Sequence, residues 1–152
     1  MKKLLYLLML ISGTFFMTTA ANAQFRKLSG VVTDSFNQKY PNAKTVSWED
    51  KVSSWQATFI LDGDKYTARY TSKGEWLGSE KKIDQEKLPA AVRDGLSKSK
   101  YADWDVKTVV IHYLPEGKEE FGIGVFKKGL NKKSLLFSNE GQLLKDNYTL
   151  WF

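Results

Sequence analysis

The sequence predicts an α+β fold of two tandem repeats, each a helix packed on an antiparallel sheet of about four strands. Three observations carry this expectation. Between Phe36 and Phe59 the apolar period switches from helical to alternating at Pro41. A second helix-then-strands pattern opens at Leu88-Pro89-Ala90-Ala91-Val92. Glycine-bearing turns, Thr71-Ser72-Lys73-Gly74 and Ser138-Asn139-Glu140-Gly141, close a hairpin in each stretch, where a residue able to take positive φ is needed.

The elements follow in order. Residues 1–23 are set aside as a secretory signal, because Lys2-Lys3, the apolar run Leu4 to Phe16 and the small-residue ending Ala21-Asn22-Ala23 match its three parts. Cleavage is expected before Gln24. The first repeat is assigned to 24–83. Leu28, Val32, Phe36 and Tyr40 recur every four residues and line one helical face, which Pro41 ends. Thr45 to Glu49 reads as a strand, and Trp55 to Leu61, with alternating Trp55, Ala57 and Phe59, as the strongest one. Asp62-Gly63 suits a tight hairpin turn, Tyr66, Ala68 and Tyr70 alternate on the returning strand, and Trp76-Leu77 begins another.

Lys81 to Lys87 is charged and reads as a connector, and the second repeat is assigned to 84–152. Leu88, Val92 and Leu96 mark its helix, with Pro89 in the first turn. Val106 to Tyr113, Phe121 to Lys127 and Lys132 to Phe137 read as strands, with a last hairpin over 138–144. Leu150-Trp151-Phe152 is an apolar tail expected to dock. The stretches echo each other: Val32-x-Asp34-x-Phe36 aligns with Val92-x-Asp94-x-Leu96, and Trp55-x-Ala57-x-Phe59 with Phe121-x-Ile123-x-Val125.

These residues resemble a known family. Phe36-x-x-x-Tyr40-Pro41-Asn42-Ala43-Lys44-x-Val46-x-Trp48, Ala57-x-Phe59, Gly74-x-Trp76-Leu77 and Leu88-Pro89-Ala90-Ala91-Val92 are similar to the PepSY-like, or beta-lactamase-inhibitor-protein-like (BLIP-like), family of small exported bacterial proteins. Tyr101-Ala102-Asp103-Trp104 departs from the usual Tyr-Pro form. The resemblance implies a periplasmic or secreted location and a binding or inhibitory role, and it names no partner.

Composition bounds the function. Removing 23 residues from 152 leaves 129, enough for one compact domain or two small packed ones. There is no cysteine, hence no disulfide framework, thiolate metal site or lipid-anchored cysteine. The formal charge of +6 falls to +4 once Lys2 and Lys3 leave with the signal, a mild excess consistent with a solvated surface or an anionic partner. Export makes nucleic acid an unsuitable target, and after cleavage no membrane anchor is expected. The product is expected to be soluble.

The catalytic inventory is nearly empty. His112 is the only histidine and lies mid-strand. No serine sits in a Gly-x-Ser-x-Gly context, and Asp62-Gly63-Asp64 is too short for a calcium loop. No catalytic residue, cofactor or metal is assigned, and an enzyme would need a pocket converging on His112 with an acidic neighbour.

Binding chemistry is better supported. Period two places Gln56, Thr58, Lys65, Thr67 and Arg69 on the sheet face away from the first helix, a polar and cationic set. It places His112, Gly122, Gly124, Phe126, Ser134 and Leu136 on the corresponding face of the second stretch, an unexpectedly apolar one. That set meets the other repeat, a second chain or a partner, or else the apolar tail folds over it. The expected partner-binding residues are Gln56, Thr58, Lys65, Arg69, His112, Phe126 and Leu136. The function expected is non-enzymatic binding of an unidentified protein, as an inhibitor or envelope accessory factor; the alternative is a periplasmic small-molecule or glycan binder.

Overall fold

The structure is a computed structural model describing residues 26–128 and 131–151. The expected signal segment, its cleavage point and Phe152 lie outside the described residues.

Helix α1 spans Gly30–Lys39 and buries Val32 and Phe36. It ends where the Tyr40 N–H donates to the Phe36 carbonyl at 2.8 Å and Pro41 bars continuation. Strands β1 (Lys44–Asp50), β2 (Trp55–Leu61), β3 (Asp64–Tyr70) and β4 (Trp76–Ile83) follow. Asp62 (φ 51°) and Gly63 (φ 87°) form the turn joining β2 to β3. Helix α2 (Ala90–Ser97) comes next, with Pro89 at the N-cap, then β5 (Asp105–Tyr113), β6 (Glu119–Lys127), β7 (Asn131–Ser138) and β8 (Leu143–Lys145).

All eight strands join one antiparallel sheet in chain order, β1 through β8. This corrects the expected α+β fold of two tandem repeats with separate sheets. The described residues form mostly one eight-stranded sheet carrying two short α-helices. The join is the ladder between β4 and β5, from Ser79 opposite Tyr113 to Ile83 opposite Val109. Its physical basis is edge pairing: two strands whose outer backbone groups would otherwise stand unpaired satisfy each other. The sequence hid this because Lys81 and Lys82, read as connector, are strand residues. Lys81 lies opposite Ile111 and forms an ion pair with Asp64.

Both helices pack on the same face of the sheet. Val32 and Phe36 meet Trp55, Ala57, Phe59, Ala68 and Tyr70, while Leu88 and Val92 meet Tyr101, Ile111, Ile123, Leu135 and Phe137. The Phe36 ring stands edge-on to Phe59 at 5.0 Å and Trp48 at 5.3 Å, the geometry aromatic quadrupoles favour. Two turn glycines also set the helix spacing. Gly74 (φ 84°) would put a Cβ 2.9 Å from the Val31 carbonyl of α1. Gly141 (φ 85°) lies so close to α2 that a Cβ would run into the Ala91 carbonyl, and one at Gly95 into the Gly141 carbonyl.

Candidate functional site: the strapped face of the sheet

Opposed residues on antiparallel strands point to the same side, so the register defines the face away from the helices. Its central row is Thr58, Thr67, Glu80, His112, Glu120 and Ser138, one residue from each of six strands. On one side lie Gln56, Arg69 and Gly78; on the other lie Val110, Gly122, Leu136 and Lys145. Gly124 with Ser134, and Phe126 with Lys132, continue towards the far end.

Residues 146–151, here the strap, leave β8 and cross this face. Asp146 anchors the start, accepting from the Tyr101 hydroxyl at 2.8 Å and pairing with Lys100 at 2.8 Å. The Tyr148 N–H donates to the Ser134 carbonyl at 2.8 Å. Leu150 then settles over Gly122 and Gly124, and the Trp151 N–H donates to Glu80 Oε2 at 2.9 Å. The Trp151 ring packs by Gly78, with the Arg69 guanidinium 4.3 Å from its centroid. The missing side chains make room: a Cβ on Gly122 would stand 2.7 Å from Leu150, and one on Gly78 3.3 Å from Trp151.

Beneath the strap lies a buried acid–imidazole pair. Glu80 is 0% exposed and His112 1%. Glu80 Oε1 is 2.9 Å from His112 Nδ1, at ion-pair distance but off the line a hydrogen bond requires, and His112 Nε2 has no hydrogen-bond partner among the described residues. Tyr148 and Trp151 present their rings edge-to-face to His112, at 5.1 and 5.9 Å. Burial pushes the Tyr148 phenol up to about 12, with the charge of Glu80 adding to the shift. Burial lowers the Arg69 pKa, opposed most strongly by the charge of Glu80.

The strap brings some of the expected binding residues together. Arg69 is half-buried and donates from Nε to Gln56 Oε1 at 3.0 Å, while Gln56, His112 and Leu136 are buried. Thr58 is half-buried and Lys65 exposed at the β3 end. Phe126 stands apart in a hollow of about 410 Å³, lined also by Lys107, Lys132, Gly124 and Leu150, with Lys107 Nζ 4.4 Å from its ring centroid. Sequence reasoning missed Glu80. Its neighbours Ser79 and Lys81 are polar, so no apolar alternation marked β4 beyond Leu77.

The pair has the residue types of acid–base chemistry and is buried beneath the strap. What the face does is hold an extended segment, through two aromatic side chains, Tyr148 and Trp151, one aliphatic, Leu150, and two main-chain N–H donors.

Among the described residues no helix is long and apolar enough to cross a membrane. No sequence family matches the chain, and no curated protein does. Solved structures do. A BLIP-like protein from Bacteroides fragilis is 29% identical, with a TM-score of 0.72 over 84% of this chain and 95% of that one. A Bacteroides eggerthii protein provisionally described as periplasmic is 23% identical, with a TM-score of 0.73 over 80% of this chain and 89% of that one. A DUF2874 family protein from Bacteroides ovatus is likewise 23% identical, with a TM-score of 0.73 over 80% and 88%. None of the three carries the PepSY name, so the BLIP-like part of the sequence resemblance is the part supported. The chain thus has the fold of a BLIP-like protein.

Proposed function

We propose that this chain is an exported, non-enzymatic protein-binding module, an inhibitor or envelope accessory factor, that engages its partner on the strapped face of the sheet. The observation that carries this reading is the strap itself: the face already holds an extended aromatic segment in fitted glycine hollows. The binding residues proposed are Lys65, Arg69, Thr58 and Phe126 at the accessible surface, with Gln56, His112 and Leu136 beneath the strap. Export is supported by the signal-like first 23 residues and by the provisional periplasmic description of one neighbour. A binding role is supported by the BLIP-like neighbour.

Affinity capture from periplasmic extract tests this. The wild-type chain is expected to retain one protein stoichiometrically, and the Arg69→Ala/Phe126→Ala variant to lose it. Unchanged capture by the variant overturns the surface assignment. The second reading, a small-molecule or glycan site, is favoured by the Lys107, Phe126 and Lys132 hollow. A tryptophan fluorescence change with oligosaccharides, and no captured protein, would favour it.

A further inference from the structure

The strap is an imperfect occupant of its own groove. Its half of the contact is good: Trp151 and Leu150 fill hollows that glycines leave open, and two strap N–H groups are paired. The other half is incomplete. Among the described residues, His112 Nε2 and Glu80 Oε1 are buried under the strap without a hydrogen-bond partner. His112 Nε2 lies 2.9 Å from the site a Gly122 Cβ would take, a site that also lies 2.7 Å from a Leu150 methyl. Buried polar groups left unpaired favour any occupant that pairs them. The strap is also half-exposed along Tyr148, Leu150 and Trp151, with Thr149 exposed, whereas the floor beneath it is closed.

The surroundings define the chemistry of a better occupant. Lys65, Lys132 and Lys145 are exposed on this face, Lys107 reaches over Phe126 and Arg69 caps the Trp151 ring, and these outnumber the exposed carboxylates there, Glu49 opposite Gln56 and Asp105 opposite Phe126. A cationic rim selects a segment with acidic residues beside its aromatic anchor, and it disfavours a second copy of this net-positive chain.

From these observations we infer that the strap is a displaceable internal ligand, and that the groove beneath it takes an extended, acidic, aromatic-anchored peptide segment of another protein. The inference rests on the protein-binding reading above and adds the partner's chemistry and a gate. The partner segment replaces Trp151 against Gly78 and Arg69, and supplies a polar group to His112 Nε2. The strap therefore competes with the partner, and weakening it strengthens binding.

The test uses fluorescein-labelled peptides with the strap's own sequence, DNYTLW, extended by EEE or by KKK, and reads anisotropy with full-length protein. Trp151→Ala is expected to bind EEE-DNYTLW at least tenfold more tightly than the wild type does, and the KKK form more weakly than the EEE form. Because His112 is the only histidine, its imidazole NMR signals report the groove directly, and they are expected to shift on addition of the acidic peptide to the wild-type chain. Leu150→Ser serves as the second strap-weakening variant should Trp151→Ala fold poorly. Equal affinity of wild type and both variants, or an unmoved His112 signal at saturating peptide, overturns the inference. Concentration-dependent dimers of the wild-type chain that DNYTLW dissolves would make a second copy the occupant and overturn it too. Failure here is distinguishable from failure of the general reading: a partner that docks over a closed strap would still be captured in the Arg69- and Phe126-dependent manner.

Discussion

The buried pair under the strap makes His112 the most informative position for a stability experiment. His112→Leu keeps roughly the volume of the ring, so the cavity contribution is small. What it removes is the polar neighbour of a carboxylate that is 0% exposed and that accepts a hydrogen bond from the Trp151 N–H. Depriving a buried carboxylate of its polar neighbour costs up to about 3–5 kcal/mol. With an m-value of about 2 kcal/mol/M, the urea midpoint should fall by up to about 1.5–2.5 M. Adding Glu80→Gln should recover most of that loss, because the amide oxygen still accepts from Trp151 while the unpaired charge is gone. The assay is urea unfolding followed by tryptophan fluorescence on wild type, both single variants and the double, read as a cycle. A loss below about 1 kcal/mol for His112→Leu, or a double variant no more stable than that single one, would refute the reasoning.

The other predictions concern the two layers of the fold. Tyr70 is fully buried with its hydroxyl unpartnered, so Tyr70→Phe should raise stability by about 1 kcal/mol in the same urea assay, against the usual sign for a core substitution. Gly95→Ala should favour an isolated helix, yet here its Cβ meets the Gly141 carbonyl; the net expectation is a loss of about 1–3 kcal/mol, checked by thermal melting. The Tyr148 phenol, ordinarily near 10, is held up to about 12 by burial and by Glu80. Between those values the unfolded chain has released a proton that the folded chain keeps, so this contribution is complete below about 10 and is lost as pH rises through about 12. Phenolate absorbance of wild type minus Tyr148→Phe should show that late transition, and a difference curve centred near 10 would contradict it.

Single elements were legible where one physical signal dominated. Trp55 to Leu61 alternates and is bounded by Asp62-Gly63, and β2 has those limits. Phe36 and Tyr40 mark one helical face, and Pro41 fixes its end. The assembly of strands was less legible, because pairing between β4 and β5 depends on hydrogen bonds of backbone groups that every residue carries. Lys81 and Lys82 argued against a strand there, and a register shift between Arg69 and Tyr70 disturbs the alternation that would have phased it. The same loss of phase concealed Glu80 and with it the chemistry beneath the strap. Leu150 and Trp151 were legible as apolar residues needing cover; their place between Gly78, Gly122 and Arg69 was not, because a glycine hollow leaves no apolar signal of its own.

Strand order identical to chain order has a kinetic consequence. Each strand pairs with its immediate predecessor, so every ladder except β4–β5, whose connection carries α2, closes a short loop at a small entropic cost. Hairpins can therefore zip one after another from either end or from the middle. The strap is the exception, because Trp151 reaches back to Glu80 across 71 residues and needs β4 through β7 already side by side. Its docking therefore follows the pairing of β4 through β7, and hydrogen exchange at the Trp151 amide should be faster than at any amide within the β5–β6 ladder.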